Sequence, residues 1–308
     1  MPPRIGIIGG SGVNRPDIGF TEVVIDTAYG QALAWVGDDR QSDVVFLSRH
    51  GVEHTVPPHK VNYRANIAAL RQLRVDRAIA IFAVGGIAED IPPGGIVALD
   101  QIIDFTCGRE STFFEGGESG VKHTPFTEPF SPRLRAAIVA KAAAHGLEIR
   151  PEGTYICFNG PRFETAAEIR MSKLLGADVV GMTAMPEAIL ARELEIHYAG
   201  IAVSVNWAAG VKGPLRVDFG ALNSIRGKLL PLVLDVLRTT ELDLDPLSQE
   251  SGDWGTTREP GPAPSTPMKR WTSVPNRRSR QRHRGAPHRS ASAAPHSPAR
   301  QPNPCRRC

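Results

Sequence analysis

Short apolar runs recur along the first 245 residues, and glycine, proline or polar clusters separate them. Six of these runs are rich in Val, Ile and Ala, namely residues 4–10, 43–50, 77–86, 95–105, 177–183 and 198–206. Nearly continuous apolar runs are typical of strands that are covered on both faces, whereas strands with one wet face alternate apolar and polar residues. The pattern therefore predicts six buried strands.

Segments with helical spacing lie between and after these runs. They are residues 62–73, 131–146, 165–176, 186–194 and 223–238. Ser131 before Pro132 is a typical helix start, glycines end two of the segments, and Pro231 predicts a kink in the last helix. Strands that alternate with helices predict a single α/β domain with a mixed, largely parallel central sheet flanked by helices.

The composition changes near residue 245. Residues 246–308 hold 12 of the 36 Lys and Arg residues, 3 of the 32 Asp and Glu residues and 11 of the 26 prolines. Leu247 and Val274 are their only members of the Leu, Ile, Val and Phe group, which is too little apolar surface to offset the entropy of ordering. The sequence predicts a domain at 1–245 and a disordered Pro/Arg/Ser-rich tail at 246–308.

The hydropathy of the chain indicates its cellular compartment, and the spacing of its cysteines indicates whether it binds a metal. No apolar run approaches the ~20 residues that a bilayer requires, and the N-terminus lacks a signal-peptide pattern, so we expect a cytoplasmic protein with no membrane partner. Cys305 and Cys308 form a lone C-R-R-C pair, which is a poor zinc site, and no metal is expected. Cys107 and Cys157 lie in apolar contexts and are expected to be core thiols.

Three segments rich in glycine or basic residues follow predicted strands: GGSG at 9–12, RHG at 49–51 and AVGG at 83–86. Open α/β sheets bind ligands at the carboxyl ends of their strands, where glycines expose backbone N–H groups and arginine offers a fork of donors to an anion. The first segment fails the G-x-G-x-x-G dinucleotide pattern, because Arg15 stands at the last position. Taken alone, the first and third segments are equally compatible with an anion site or an ordinary turn, whereas a surface salt bridge with solvated histidines is the simpler explanation of the second.

Three further segments combine strand ends with polar side chains: NGPRFET at 159–165, GMTAMPE at 181–187 and SVNWAAG at 204–210. Glu164 is compatible with a simple helix-dipole role, and Thr183 with a helix cap. Asn206 places a polar amide where an apolar strand ends. These readings from the residues alone leave structural and functional roles open.

In order and spacing, the segments resemble the trimeric purine nucleoside phosphorylase and methylthioadenosine phosphorylase family over residues 4–240. The stretches that carry the resemblance are GIIGGSG, LSRHG, HKVNYRAN, AVGGI, DQIIDFT, HTPFTEPFSP, GPRFETAAEI, GMTAMPEA and the strand that ends in Asn206. The resemblance implies a nucleoside phosphorylase-like fold and a pentosyltransferase of purine salvage. Such an enzyme uses inorganic phosphate as a co-substrate to cleave a nucleoside into purine and pentose 1-phosphate, and the resemblance implies no cofactor.

The resemblance also assigns residues to the two ends of the substrate. The phosphate residues are Ser11, Arg49, His50, Thr183 and the backbone N–H of Ala83, and the fork of Arg49 is expected to contact only the anion. The nucleoside residues are Met182 against the ribose, Phe163 and Glu164 on the purine, and Asn206 as a donor to N7 or O6. Asn206, Glu164 and His50 are the expected catalytic residues.

Two positions indicate the base. Family members that use adenine nucleosides share Asp-x-Asp at the end of the last strand, where this chain has Asn206-Trp207-Ala208. Members that use 6-oxopurines carry Asn there and Glu in the GP-x-x-E segment, as in Asn206 and Glu164. A carboxylate accepts from N1–H of hypoxanthine or guanine but faces a lone pair in adenine. We expect a 6-oxopurine nucleoside, with S-methyl-5′-thioadenosine as the alternative substrate.

The 5′ end and the assembly depend on His123. By resemblance this residue reaches the 5′ end of a neighbouring subunit's nucleoside, which implies a homotrimer or a dimer of trimers. The likeness is strongest to members that act on S-methyl-5′-thioinosine, and an apolar 5′ pocket would favour that substrate over inosine. A nucleic-acid-binding role of the basic tail is a distant alternative, because a basic tail without a reader fold binds phosphates weakly and non-specifically.

Removal of residues 246–308 tests the domain boundary. We expect the fragment 1–245 to retain the phosphorolytic rate of the full chain, because all the matching segments precede residue 241. Steady-state kinetics of the two proteins side by side measures this. Loss of turnover on truncation would show that the boundary is wrong.

Overall fold

A computed structural model describes residues 3–16, 19–51 and 53–242 of the chain. The predicted tail and the Cys305/Cys308 pair lie outside the described residues. Within these three ranges, no helix has the length and apolar character needed to cross a membrane.

The described residues form ten strands and five α-helices. The strands are β1 (Arg4–Gly9), β2 (Phe20–Thr27), β3 (Gly30–Gly37), β4 (Val44–Ser48), β5 (Val75–Gly86), β6 (Ile96–Ala98), β7 (Gln101–Phe105), β8 (Thr154–Phe158), β9 (Val179–Gly181) and β10 (His197–Trp207). The helices are α1 (Tyr63–Gln72), α2 (Pro132–Ala142), α3 (Ala166–Leu174), α4 (Ala184–Glu193) and α5 (Gly220–Thr239).

The long strand β5 is the centre of the sheet. It pairs in parallel with β1 on one side and with β10 on the other, and its last residues pair antiparallel with β9. The strand order is β2-β3-β4-β1-β5-β9-β8-β7, and β10 lies off this path between β5 and β6. Parallel pairs join β1 to β4, β7 to β8 and β8 to β9, so the prediction of a mixed, largely parallel sheet is confirmed.

Both faces of the central strands are buried, which explains their continuous apolar runs. Along β5, Ile79 and Ile81 belong to the hydrophobic cluster that contains α2 and α5 residues. Ala80 and Phe82 alternate with them and belong to the cluster that contains α1 and α4 residues. Because successive side chains point to opposite faces, helices on both sides exclude water from the same strand.

The helix starts follow from local hydrogen bonding. The side chain of Asn62 accepts a hydrogen bond from the backbone N–H of Ala65 at the start of α1, and that of Ser131 accepts one from Leu134 at the start of α2. Thr165 and Glu168 form a reciprocal capping box at the start of α3. The predicted helices are therefore present, within a few residues of their expected bounds.

Three expectations from the pattern are wrong. The run 95–105 is two strands, because β6 pairs with β10 and β7 pairs with β8, with the chain turning between them. The hairpin β2–β3 and strand β8 were not among the six predicted strands. Cys107 is exposed, whereas Cys157 is buried as expected.

Two glycine-to-alanine substitutions form a matched test of backbone packing. A Cβ at Gly9, where β1 ends, would overlap the carbonyl oxygen of Val13, whereas a Cβ at Gly227 in α5 would meet nothing within 4 Å. We expect Gly9→Ala to lower the free energy of unfolding by about 1–3 kcal/mol through overpacking. Gly227→Ala should raise it by about 0.5–1 kcal/mol, because alanine is the better helix former.

Chemical denaturation measures both values. If Gly9→Ala proved as stable as the parent protein, the close approach of β1 to the following turn would not be a constraint.

Candidate functional site

A cavity of about 670 Å³ lies where several strands end. Its walls come from the segments that follow β1, β4, β8 and β9 and from the last residues of β5 and β10. Nine of the ten predicted site residues line it: Ser11, Arg49, His50, Ala83, Phe163, Glu164, Met182, Thr183 and Asn206. The fold thus brings together residues that are up to 195 positions apart in sequence.

His123 is the exception among the predicted residues. Its side chain is exposed, in the segment between β7 and α2, and it does not line this cavity. Its expected role concerns a neighbouring subunit and stays a prediction.

Arg49 is buried and its fork of donors is bound by a carboxylate. Nε lies 2.5 Å from Oε2 of Glu187 and Nη2 lies 2.7 Å from Oε1, with both side chains 1% exposed. Tyr198 donates its hydroxyl to the same Oε1 at 2.7 Å. Burial alone would lower the pKa of Arg49, but the charge and hydrogen bonds of Glu187 outweigh it and raise that pKa.

The expectation that the fork of Arg49 contacts only an anion is therefore wrong. The fork points at Glu187, and the remaining nitrogen, Nη1, lies 3.3 Å from the carbonyl oxygen of Ile81. Nη1 also faces the turn after β1, because a Cβ at Gly10 would lie 2.6 Å from it. The absence of a side chain at Gly10 lets the guanidinium edge reach the wall of the cavity.

Two histidines and a serine form the wall beside Arg49. Nδ1 of His50 lies 2.8 Å from the carbonyl oxygen of Val56, and since a carbonyl only accepts, Nδ1 carries the hydrogen. Burial, helped by the charge of Arg49, lowers the pKa of His50 to about 4, so the ring is neutral at pH 7 and Nε2 is an acceptor. The His54 ring lies 4.5 Å from the His50 ring, and its Nε2 is 3.4 Å from the hydroxyl of Ser11.

Glu164 supplies a buried carboxylate on the wall formed by the segment after β8. It is 8% exposed, and its Oε1 has no hydrogen-bond partner among the described residues. Burial raises the pKa of this carboxyl. A buried acceptor without a partner is costly, so this atom is suited to a donor on a bound molecule.

Asn206 and Thr183 stand at the ends of β10 and β9. One amide hydrogen of Asn206 is directed at the carbonyl oxygen of Trp207, 2.8 Å away, which leaves the second hydrogen and Oδ1 for other partners. Thr183 precedes α4, but its side chain makes no capping hydrogen bond, so a simple cap does not account for it. Its backbone N–H donates to the hydroxyl of Tyr155 at 3.2 Å.

Three residues of the site were not singled out by the sequence: His54, which lines the cavity, and Glu187 and Tyr198, which are hydrogen-bonded to each other and support Arg49. Glu187 lies in the first turn of α4, where a carboxylate usually needs no more explanation than the helix dipole. His54 lies within the RHG…HT stretch, and its backbone has φ +52°, a conformation that is uncommon outside glycine. Only the tertiary structure reveals their partners.

The chain belongs to the phosphorylase superfamily, whose profile matches residues 4–227. A 6-oxopurine nucleoside phosphorylase of Pyrococcus furiosus is 52% identical over 217 residues, which are 68% of this chain and 82% of that protein. A Thermodesulfovibrio yellowstonii protein named "Probable S-methyl-5′-thioinosine phosphorylase" is 49% identical over 218 residues, 70% of this chain and 82% of that one.

Solved structures agree with this family assignment. A methylthioadenosine phosphorylase from Schistosoma mansoni in complex with tubercidin superposes with a TM-score of 0.71 at 32% identity. The match covers 77% of this chain and 91% of that one. The predicted nucleoside phosphorylase-like fold is confirmed.

Burial distinguishes two ion pairs of similar geometry. Arg238 binds Asp43 through Nε and Nη2 at 2.8 and 2.9 Å, as Arg49 binds Glu187, but the side chains of both Arg238 and Asp43 are 38% exposed. Arg49→Ala should lower the free energy of unfolding by about 3–5 kcal/mol, because it leaves a buried carboxylate uncompensated. Arg238→Ala should cost at most about 1 kcal/mol.

Denaturant unfolding of the two variants measures this difference. The double variant Arg49→Ala/Glu187→Ala should be less destabilised than the sum of its single variants, since neither charge remains buried alone. Equal losses for Arg49→Ala and Arg238→Ala would contradict the structural role of the buried pair.

Proposed function

We propose that the protein cleaves the N-glycosidic bond of a 6-oxopurine nucleoside with inorganic phosphate, releasing the purine and a pentose 1-phosphate. The observation that carries the proposal is the buried Oε1 of Glu164, which has no hydrogen-bond partner among the described residues and lies in the same cavity as Arg49, Ser11 and Thr183. The cavity thus combines an acceptor suited to N1–H of a purine with donors suited to an anion. Phosphate is the co-substrate, and we propose no cofactor.

At the phosphate end, the donors are hydroxyls, backbone and one guanidinium edge. Ser11 and Thr183 offer hydroxyls, Ala83 offers its backbone N–H, and Arg49 offers the N–H groups that Glu187 does not occupy. Nε2 of the neutral His50 accepts a hydrogen bond from the protonated oxygen of the phosphate. These contacts hold the phosphate nucleophile next to the sugar. The two reactants then no longer have to meet by diffusion at the moment of reaction.

At the base end, the amide of Asn206 donates to N7 or O6 as negative charge develops on the departing purine. A donor directed at developing charge in a site that excludes water is typically worth about 3 kcal/mol of transition-state stabilisation. Glu164 accepts from N1–H, Phe163 packs on the base and Met182 lies against the ribose. Because phosphate is already a competent nucleophile, the pair of carboxylates that a glycosidase needs is not required.

The 5′ end of the proposed substrate meets apolar side chains. Leu215, Val217 and Phe219 line the cavity and are 38–39% exposed. Phe219 lies beside the turn after β1, since a Cβ at Gly12 would be 3.6 Å from its ring. An apolar wall next to the phosphate end favours a methylthio group over a 5′-hydroxyl, so S-methyl-5′-thioinosine is the proposed preferred substrate.

The proposed assembly is a homotrimer or a dimer of trimers in which His123 reaches the 5′ end of a neighbour's nucleoside. Its exposed side chain is compatible with such a contact. A cytoplasmic location and a tail that is dispensable for activity are part of the same proposal.

The reaction is tested by following free base from S-methyl-5′-thioinosine, inosine, guanosine and S-methyl-5′-thioadenosine, with and without phosphate. The proposal requires strict phosphate dependence and a preference for 6-oxopurine over adenine nucleosides of at least ~100-fold in kcat/KM. Turnover in phosphate-free buffer would indicate a hydrolase. Equal rates with methylthioadenosine and methylthioinosine would make the protein a methylthioadenosine phosphorylase instead.

Two substitutions examine base selection. Asn206→Asp should lose most activity on the 6-oxo substrate, because a carboxylate repels O6, and gain some on methylthioadenosine, whose amino group can donate. Glu164→Gln should reduce the preference without abolishing turnover, because it changes the contact at N1 and not the charge at N7. Specificity constants on both substrates measure these effects.

Glu193→Gln is the matched control for Glu164→Gln. Glu193 is 5% exposed, binds Thr112 and the backbone N–H of Phe113, and does not line the cavity. Its substitution should leave the substrate preference unchanged.

The pH dependence of the wild type tests the same carboxylate. Since burial raises the pKa of Glu164, the preference for 6-oxopurine nucleosides should fall as the pH is lowered towards that pKa, where the protonated acid can donate to N1 of adenine. If the preference for 6-oxopurine nucleosides were the same in Glu164→Gln as in the wild type, the proposal would be contradicted.

A further inference from the structure

Arg109 lies in the segment after β7 and connects three parts of the chain. Its Nε donates to Oδ1 of Asn159 at 3.1 Å and its Nη2 donates to the backbone oxygen of Asn159 at 2.8 Å. Its Nη1 donates to the backbone oxygen of Met185 at 2.5 Å and to the hydroxyl of Tyr63 at 3.1 Å. One side chain therefore ties together the segment after β8, the start of α4 and the start of α1.

All four acceptors of Arg109 are uncharged, which is unlike the ion pair of Arg49. The planar guanidinium matches acceptors that lie around one plane, and the Tyr63 ring lies 5.3 Å from its central carbon. A lysine ammonium has no such fork and cannot serve the same acceptors together. Arginine is therefore required at this position for the planar fork of donors more than for its positive charge.

Asn159 is fixed from both sides. Its side-chain amide donates to the backbone oxygen of Cys107 at 2.9 Å, and its Oδ1 accepts from Arg109. The segments that follow the neighbouring parallel strands β7 and β8 are therefore fastened to each other. The side chain of Arg109 does not line the cavity, so it does not contact the proposed substrate.

Asn159, which accepts two of the four hydrogen bonds from Arg109, leads directly to the purine end of the cavity. Asn159 is followed within five residues by Phe163 and Glu164, and the intervening Gly160 packs closely on Met182, because a Cβ there would lie 2.5 Å from its sulfur. Tyr63 in turn donates to the carbonyl oxygen of Pro58, another cavity-lining residue. None of the four acceptors is a predicted phosphate-binding residue.

We propose that Arg109 is a positioning residue for the purine end of the site, which holds Phe163 and Glu164 at the correct distance from the base. This inference rests on the proposed function. Displacement of positioning groups by about 1 Å can cost as much as ~100-fold in rate. Loss of Arg109 should therefore weaken the binding of the purine and leave the phosphate end intact.

The test compares Arg109→Ala and Arg109→Lys with Arg77→Ala. Arg77 is a matched control, because it is also partly buried and donates to two backbone oxygens, those of Leu237 and Thr240, but at the other end of β5. Titration calorimetry with hypoxanthine and, separately, with inorganic phosphate measures each end of the site without turnover. Initial rates give the KM for nucleoside and for phosphate.

For Arg109→Ala we expect the hypoxanthine Kd and the nucleoside KM to rise ~10- to 100-fold, the range that the loss of one buried hydrogen bond produces, and both phosphate values to stay within about twofold. Arg109→Lys should show the same split to a smaller extent, which keeps the test decisive if the alanine variant does not fold. Arg77→Ala should change stability only. The inference would be overturned if Arg109→Ala weakened hypoxanthine and phosphate binding equally, or if its hypoxanthine Kd were unchanged. It would also be overturned if Arg77→Ala weakened hypoxanthine binding selectively. A wild type that binds no hypoxanthine would instead refute the proposed function.

Discussion

The architecture of the site depends on one buried ion pair, between Arg49 after β4 and Glu187 in α4, 138 residues apart. Removing both charges from water costs several kcal/mol per ion, and only close bidentate geometry with further hydrogen bonds offsets that cost. Tyr198 of β10 and the carbonyl of Ile81 in β5 supply those bonds, and the guanidinium lies 4.7 Å from the centre of the Phe82 ring. The pair therefore fixes three strands and a helix relative to one another where the cavity opens.

The same pair determines the charge that a bound anion would meet. Glu187 compensates Arg49, and the lowered pKa of His50 leaves that ring neutral near pH 7. On the proposed function, phosphate is recognised by directed hydrogen bonds from hydroxyls, backbone and one guanidinium edge more than by an excess of positive charge. Such recognition suits an enzyme whose product, a sugar phosphate, is also an anion and must leave the same site.

Local signals predicted much of the fold. The runs that became β1, β5 and β10 and the helix start at Ser131 depend on residues close in sequence, and the matching segments located nine cavity residues. The break of the run 95–105 was not visible, because it depends on the distant partners β10 and β8. The pairing of Arg49 with Glu187 was missed for the same reason, since a carboxylate in a first helical turn looks complete without a partner.

The most direct measurement is a crystal structure of the protein with inorganic phosphate and hypoxanthine. We expect phosphate within hydrogen-bond distance of Ser11, Thr183 and the free edge of Arg49, with the Arg49–Glu187 pair intact. We also expect N1–H of hypoxanthine to donate to the carboxylate of Glu164. Phosphate that displaces Glu187 from Arg49, or a base that leaves Glu164 without a partner, would contradict the account.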